Sequence, residues 1–469
     1  MEVTTSPKYR EEVFRLTSII SALNKGLQTD SHITRFFKRF DVSGCLKAAN
    51  IRKVKGYPVL KLLQALFMLV FTHKNYHRHT SERGMAFGKD LGYRFLNNSN
   101  SDWRTFLLKL GANIINTFMD PLTSHDRPKV LIVDDSLFSR NRSKKVELLA
   151  RVFDHTQHRF VKGFRKLTLG WSDGSSFIPL AFSLLSSKDS KNRLYEQGPY
   201  VPERSPGNAR RKEAILSAND VLLQLLDEVL EHTKAFNYVL FDSWFSWPKV
   251  IREIKSRNVN VICMLKDMPR IKYGYNGASY RLSELYSVVK KNIGKSDIIT
   301  SVLVDCDGLP TRIVFVHNRN NKREWLAILS TNTSISEEEI VQIYGIRWDI
   351  EVYFKMCKSF LGLAKEFQLR SYDGMVAHTT IVCMRYMLLS VENRDNNDDR
   401  TAGGIFYDLC AEVERISFAH ALGLLLILLA QSLADRLSLP AETINDFLKQ
   451  FATLIPSYLN AGLGIVTTA

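Results

Sequence analysis

The stretch Ile343–Phe360, IYGIRWDIEVYFKMCKSF, sets charged groups into a segment otherwise rich in Ile, Val, Trp, Tyr and Phe. On a helix each residue advances about 100°. Arg347, Glu351, Lys355 and Lys358 then all fall within about 60° of the line through Tyr344, a narrow stripe. Ile343, Ile346, Ile350, Tyr353, Met356, Cys357 and Phe360 take the opposite side. A solvated surface is the ordinary explanation of a charged stripe. Here, however, Glu351 lies beside three cations rather than in an alternating lattice, and apolar residues flank it closely. A carboxylate among Arg and Lys suits a site for phosphate and metal.

The rest of the chain must supply the partners. Its 469 residues are enough for two to four domains with at least one sizeable core. The 64 Lys and Arg against 48 Asp and Glu give a net charge of +16. Such a balance implies a polyanionic partner, nucleic acid or an anionic membrane. Residues 1–120 hold 19 of the basic residues against 9 acids, so the charge belongs to the front and middle of the chain. The six cysteines are scattered without a CxxC pair, which points to a reduced, cytoplasmic protein without a disulfide frame or cysteine zinc site. MEVTTSPKYREEVFR has no apolar signal core, and ALGLLLILLA from Ala421 is too short to span a bilayer. No membrane is expected, and nucleic acid becomes the favoured anion.

Residues 1–125 read as helical, with basic residues such as Arg35, Lys38, Arg39, Arg52, Lys53 and Lys55 at ends and loops. HKNYHRH at 73–79 reads as a basic helix end rather than a zinc site, since no Cys or carboxylate lies among its histidines. From Lys129 strands take over. KVLIVDD ends in two acids, and two apolar stretches around Asp173-Gly174 predict a hairpin. A helical segment over roughly 209–233 precedes NYVLFD, which ends at Asp242. Four more strands follow before Ser336 and Glu339 cap the opening helix. From about residue 374 the chain reads as helical again.

Two strands thus end in acids, Asp134/Asp135 and Asp242. Taken singly, each is adequately explained as a turn residue. Two strand-end aspartates plus the helical Glu351, in a basic protein, form a ligand set for a pair of Mg²⁺ (or Mn²⁺) ions. Such a pair serves in-line phosphoryl displacement, with Arg347 and Lys358 on the same helical face to meet the phosphate charge.

Tyr344, Arg347, Glu351 and Lys358 follow the spacing Y-x2-R-x3-E-x6-K. This resembles the signature of insertion-sequence-4 type bacterial transposases, within the DDE superfamily. An aspartate followed by x-Ser/Thr at the first strand and D-x-x-F (Asp242 to Phe245) at the second are similar too. The 108 residues between Asp242 and Glu351 match that family's β-strand insertion. The resemblance covers about residues 129–375. It implies an α/β fold: a ribonuclease-H-like mixed-sheet core over 126–257 and 331–373, interrupted by a β-rich insertion over 258–330. Flanking it are a basic helical DNA-binding region over 1–125 and a helical C-terminal region over 374–469. It further implies that Asp134, Asp242 and Glu351 hold the two metal ions, and that Tyr344, Arg347 and Lys358 contact DNA phosphates. The pattern D-x-[ST] picks Asp134, against Ser136, but Asp135 is adjacent; strand alternation points the two to opposite faces, so only one should be a ligand. The activity implied is binding of double-stranded DNA at terminal inverted repeats, cleavage and strand transfer, by two protomers in a synaptic complex, with or without a DNA hairpin.

Loop cations at SRNRSKK (139–145) and ARRK (209–212) read either as solvated charge or as contacts to flanking duplex. Trp244 and Trp247 are expected in the core, the other reading being stacking on an extruded base, which the resemblance implies for certain members of that family. His155 and His158 are expected to be structural or DNA-facing. A ribonuclease-H-like nuclease and a domesticated DNA-binding protein are the competing readings. Neither explains the full Tyr-Arg-Glu-Lys spacing together with three acids in order.

Overall fold

A computed structural model describes residues 31–454, apart from 54, 82–86, 155–156, 197, 199, 292–296, 319–320 and 396–399. The predicted helices before residue 31, and His155, lie outside the described residues. The described residues form two compact units, one within 42–70 and 75–395, the other within 31–41, 71–74 and 400–454.

The larger unit is built on one sheet. Its strands are β1 (Val130–Ser139), β2 (Leu149–Asp154), β3 (Arg159–Ser172), β4 (Phe177–Leu185), β5 (Arg193–Tyr195) and β6 (Tyr238–Phe241). They continue through β7 (Asn260–Leu265), β8 (Tyr273–Tyr275), β9 (Ala278–Tyr280), β10 (Ile298–Cys306), β11 (Leu309–Asn318) and β12 (Asn321–Ser330). β1 pairs antiparallel with β3 and parallel with β6, which pairs parallel with β7; β4 lies beyond β3. The path β4-β3-β1-β6-β7, with only the second strand in sequence antiparallel to its neighbours, is the ribonuclease-H-like order. The hairpin forms where the Asp-Gly signal places it. Gly174 takes φ +79°, a left-handed turn position that favours glycine, and the Asp173 carboxylate accepts from the amides of Ser175 and Ser176.

The predicted β-rich insertion contributes β8 to β12, and the sheet crosses into it without a break because β12 pairs with β7. β7 falls inside the predicted insertion, yet it is the fifth core strand. Its apolar run NVICML reads alike in either place, and only the pairing with β6 separates them.

Helices cover the sheet. Trp348–Ser359 packs on β1 and β4, and Tyr372–Asp395 packs on β4 and on Trp103–Ile114. Among the described residues Tyr372–Asp395 is the one helix long and apolar enough to cross a membrane, and its apolar window is wholly buried in the protein. Trp171, on the other face of β3, donates its indole N–H to the Ala235 carbonyl at 2.6 Å, just after the helix Ala218–Leu230.

In the smaller unit Ser31 caps the helix His32–Arg39, and the His32 amide donates to Glu412 Oε1 at 2.8 Å. There Ala402–Leu437 packs on Ala441–Leu454 through Ala430 and Ile444.

Candidate active site

The site arises where a strand stops. β6 ends at Phe241, whose partner on β1 is Val133. The next residue on each strand is an aspartate, Asp134 and Asp242. On parallel neighbours such residues face the same way with backbones about 4.8 Å apart. β1 does not end at its acids as the sequence suggested. It runs on to Ser139, paired past Val133 with β3. Asp134 therefore lines a notch beside a continuing strand.

The third acid comes from a helix that is not straight. The predicted stripe is split between Glu337–Gly345, which carries the expected Ser336–Glu339 capping box, and Trp348–Ser359. Between them the amides of Ile346 and Arg347 bond three residues back, a tightening that turns Arg347 inward. Its guanidinium donates to Asp134 Oδ2 at 2.7 Å and stands 3.6 Å from Glu351 Oε1. Ile343, Ile350, Tyr353, Met356 and Cys357 are buried on the other side as the spacing predicts.

Electrostatics tie the six predicted residues together, five of them around Asp134 and Lys358 through Glu351. Burial pushes the Asp134 carboxyl up from 3.8 to about 7; Arg347 opposes this, while the charges of Asp242 and Glu351 add to it. Burial likewise raises the Tyr344 hydroxyl, against Arg347 and with help from Cys263, Asp242 and Asp134. Lys358 stands about two turns beyond Glu351 on the helix. Its ammonium is lowered by partial desolvation and by Lys166, and it makes no ion pair with a described residue. Among the described residues no three His, Cys, Asp or Glu side chains are gathered closely enough to hold a metal ion. At the notch the Arg347 guanidinium bridges Asp134 and Glu351.

Register separates the adjacent acids. Asp134 lies opposite Thr168 on the face that Glu351 overhangs, whereas Asp135 lies opposite Leu167 and pairs with Arg165. That guanidinium also stands 4.9 Å from the centre of the Trp244 ring. Trp244 and Trp247, expected in the core, are 50% and 44% exposed on the loop after β6. Aromatic character alone does not distinguish a core residue from one on the rim of a site. Lys166 went unnoticed in the sequence. Fully buried under the helix, it donates to the Tyr353 hydroxyl at 2.5 Å, with its ammonium 4.5 Å from the ring centre. A lysine on the acid-bearing face of a buried strand was the available signal.

Two family profiles match the chain, a DDE superfamily endonuclease over residues 72–268 and a Transposase DDE domain over 213–388. By these domains the chain is an enzyme of the DNA-transposase class. Its catalytic domain is of the DDE type, and all three predicted acids fall inside the matched residues. No curated protein matches the chain. Among solved structures, a piggyBac transposase in a synaptic complex with hairpin DNA is similar at 12% identity and a TM-score of 0.42, over 86% of this chain and 81% of that one.

Proposed function

We propose that the chain is a transposase of the insertion-sequence-4 type, which binds the terminal inverted repeats of its element and cuts and joins DNA strands at Asp134, Asp242 and Glu351. The observation that carries this reading is the notch: two aspartates side by side where β6 stops, overhung by a glutamate, with the Asp134 carboxyl raised to about 7 by burial and, secondarily, by its two acidic neighbours. Crowded hard oxygen donors short of positive charge suit divalent cations. Asp134, Asp242 and Glu351 would hold two such ions, Mg²⁺ or Mn²⁺, which supply Lewis acidity at the scissile phosphate.

The remaining steps belong to the chain. Asp134 must give up its proton to act as a ligand. Arg347, which holds Asp134 and stands beside Glu351, would present its planar fork of donors to the phosphate. Lys358 adds a point charge further along the helix, and Tyr344 keeps its proton and donates its hydroxyl. Two protomers act as a homodimer in the synaptic complex, in the cytoplasm, with transposon ends and target as double-stranded DNA.

The test is strand cleavage of a labelled duplex carrying the DNA that borders the gene, with Mg²⁺ or Mn²⁺, comparing wild type with Glu351→Ala. Metal-dependent cutting that vanishes in the variant while DNA binding persists supports the reading. Cutting without any joining of the 3′ end to a second duplex moves it to a nuclease.

A further inference from the structure

The β2–β3 hairpin carries a cationic trough that the carboxylate site does not explain. It encloses about 610 Å³ and is lined by Arg151, Arg159, Phe160, Lys162, Asn141 and Asn192 among others. Arg151 and Lys162 stand directly opposite each other in the antiparallel register. Like charges so placed are destabilising. Among the described residues neither Arg151 nor Lys162 makes an ion pair, whereas Arg159 lies opposite Asp154 and donates to Gln157 Oε1 at 2.8 Å. The fold therefore carries a repulsion that a polyanion would remove. Beside the cations Phe160 is 68% exposed, its ring 5.3 Å from that of Phe153.

Pairing relates this trough to the acids. Neither the β1–β3 nor the β2–β3 register has an irregularity. Alternation then puts Phe160, Lys162, Lys166 and Thr168 on one face of β3, while Arg159, the first residue of the strand, starts from the other face and lines the trough at its edge. Cross-strand neighbours share a face, which adds Arg151 opposite Lys162 and Asp134 opposite Thr168. From Thr168 to Lys162 the strand rises about 20 Å, at roughly 3.3 Å per residue. Lys358, on the helix Trp348–Ser359, is within electrostatic reach of Lys166 on this face and of Glu351. Twenty ångströms is about six base pairs at roughly 3.4 Å each.

We propose that the trough is a second DNA contact: it seats backbone phosphates of the duplex being cut, about six base pairs from the scissile phosphate. Arg151, Arg159 and Lys162 neutralise the phosphates, and Phe160 packs against a sugar or base edge. This rests on the reading of the notch as the cleavage site.

The experiment measures binding of an arbitrary 30-bp duplex by fluorescence anisotropy across a salt series without divalent metal. It compares wild type with Arg151→Gln/Arg159→Gln/Lys162→Gln and with Phe160→Ala. All four side chains are exposed, and thermal melting confirms that each variant is folded. Three lost phosphate contacts lower the slope of log K against log salt by about 2.7, at roughly 0.9 per contact. Phe160→Ala weakens binding about five-fold or more with the slope unchanged, since stacking releases no counterion. A triple variant with the wild-type slope overturns the proposal. So does a triple variant that cleaves like wild type but fails to join ends to a second duplex, because the trough then holds acceptor DNA. The salt slope needs no catalysis, so its outcome is independent of whether Glu351→Ala abolishes cutting.

Discussion

Several buried carboxylates stand beside arginines, and two of them, Glu366 and Asp134, behave oppositely. Glu366 is gripped on both oxygens: Arg385 donates to each, and His378 Nε2 lies 2.8 Å from Oε2. Arg385 spends its other donors on the carbonyls of Phe67, Leu66 and Leu361. Despite burial, Arg385 and His378 hold the Glu366 carboxyl below its ordinary range. Asp134 has one arginine, shared with Glu351, and two neighbouring acids, and its carboxyl rises to about 7. A buried carboxylate with both oxygens held by its own arginine is structural. One left short of positive charge has room for a ligand, and this difference, rather than burial or the mere presence of an ion pair, separates the two sites.

The sharpest way to break the comparison is to neutralise each side. Asp134→Asn, Asp242→Asn and Glu351→Gln should each lower metal-dependent strand cleavage by about 10³-fold or more, as expected for groups acting on the reacting phosphate. Their urea midpoints should stay near or above wild type, because a crowded carboxylate is removed. Glu366→Gln should do the reverse. Taking one partner from a buried pair costs about 3–5 kcal/mol, read as a lower urea midpoint, while cleavage per folded molecule is retained. A destabilised Asp134→Asn together with a stable Glu366→Gln would invert the assignment.

The two clusters were not equally legible. The acids of the notch announced themselves through apolar runs ending in Asp134 and Asp242, and Glu351 through helical spacing. That β1 continues past Asp134 could not be read, because LFS after the acids resembles a loop as much as a strand, and only pairing with β3 decides. Alternation alone separated Asp134 from Asp135 without saying which faces the site; the answer lies in Arg165, thirty residues away in sequence. The inward turn of Arg347 comes from a local tightening that an ideal 100° spacing smooths over. The closed cluster drew no notice, since Glu366, His378 and Arg385 look like scattered polar residues until one helix and its preceding loop bring them together. The trough likewise needs β2 laid against β3, which places Arg151 opposite Lys162.

pH sharpens the contrast because the two carboxylates shift in opposite directions. Glu366 is depressed, so its contribution to stability is present at neutral pH and is lost as pH falls through the acid range. Asp134 is raised from 3.8 to about 7, so the unfolded chain gives up that proton first. Between about pH 4 and pH 7 the folded state, still holding it, loses stability relative to the unfolded one, by a few kcal/mol at most; above about 7 the penalty is constant. In metal-free protein the melting temperature of wild type should therefore fall relative to Asp134→Asn as pH rises from 5 to 7. The gap should narrow when Mg²⁺ is added. A gap that does not change with pH would mean that the notch carboxyl titrates in its ordinary range.

The smallest effect tests the one cation of the notch. Arg347 lowers the Asp134 carboxyl against its burial, through a contact at 2.7 Å. Replacing it by Gln removes that opposition, so the proton is held more tightly, and an arginine neighbour commonly moves a carboxylate by about 1–3 units. Partial exposure of Arg347 puts the expected shift at the low end, about one unit upward in the pH at which Mg²⁺ binding reaches half its plateau, read by calorimetry. Arg347→Lys keeps the charge but not the fork, so it should restore most of the pH midpoint while leaving cleavage well below wild type. If Arg347→Gln instead strengthens Mg²⁺ binding at every pH, the guanidinium competes with the metal for Asp134 more than it lowers the proton's hold. Arg347 would then act as a gate on the site rather than as part of its charge balance.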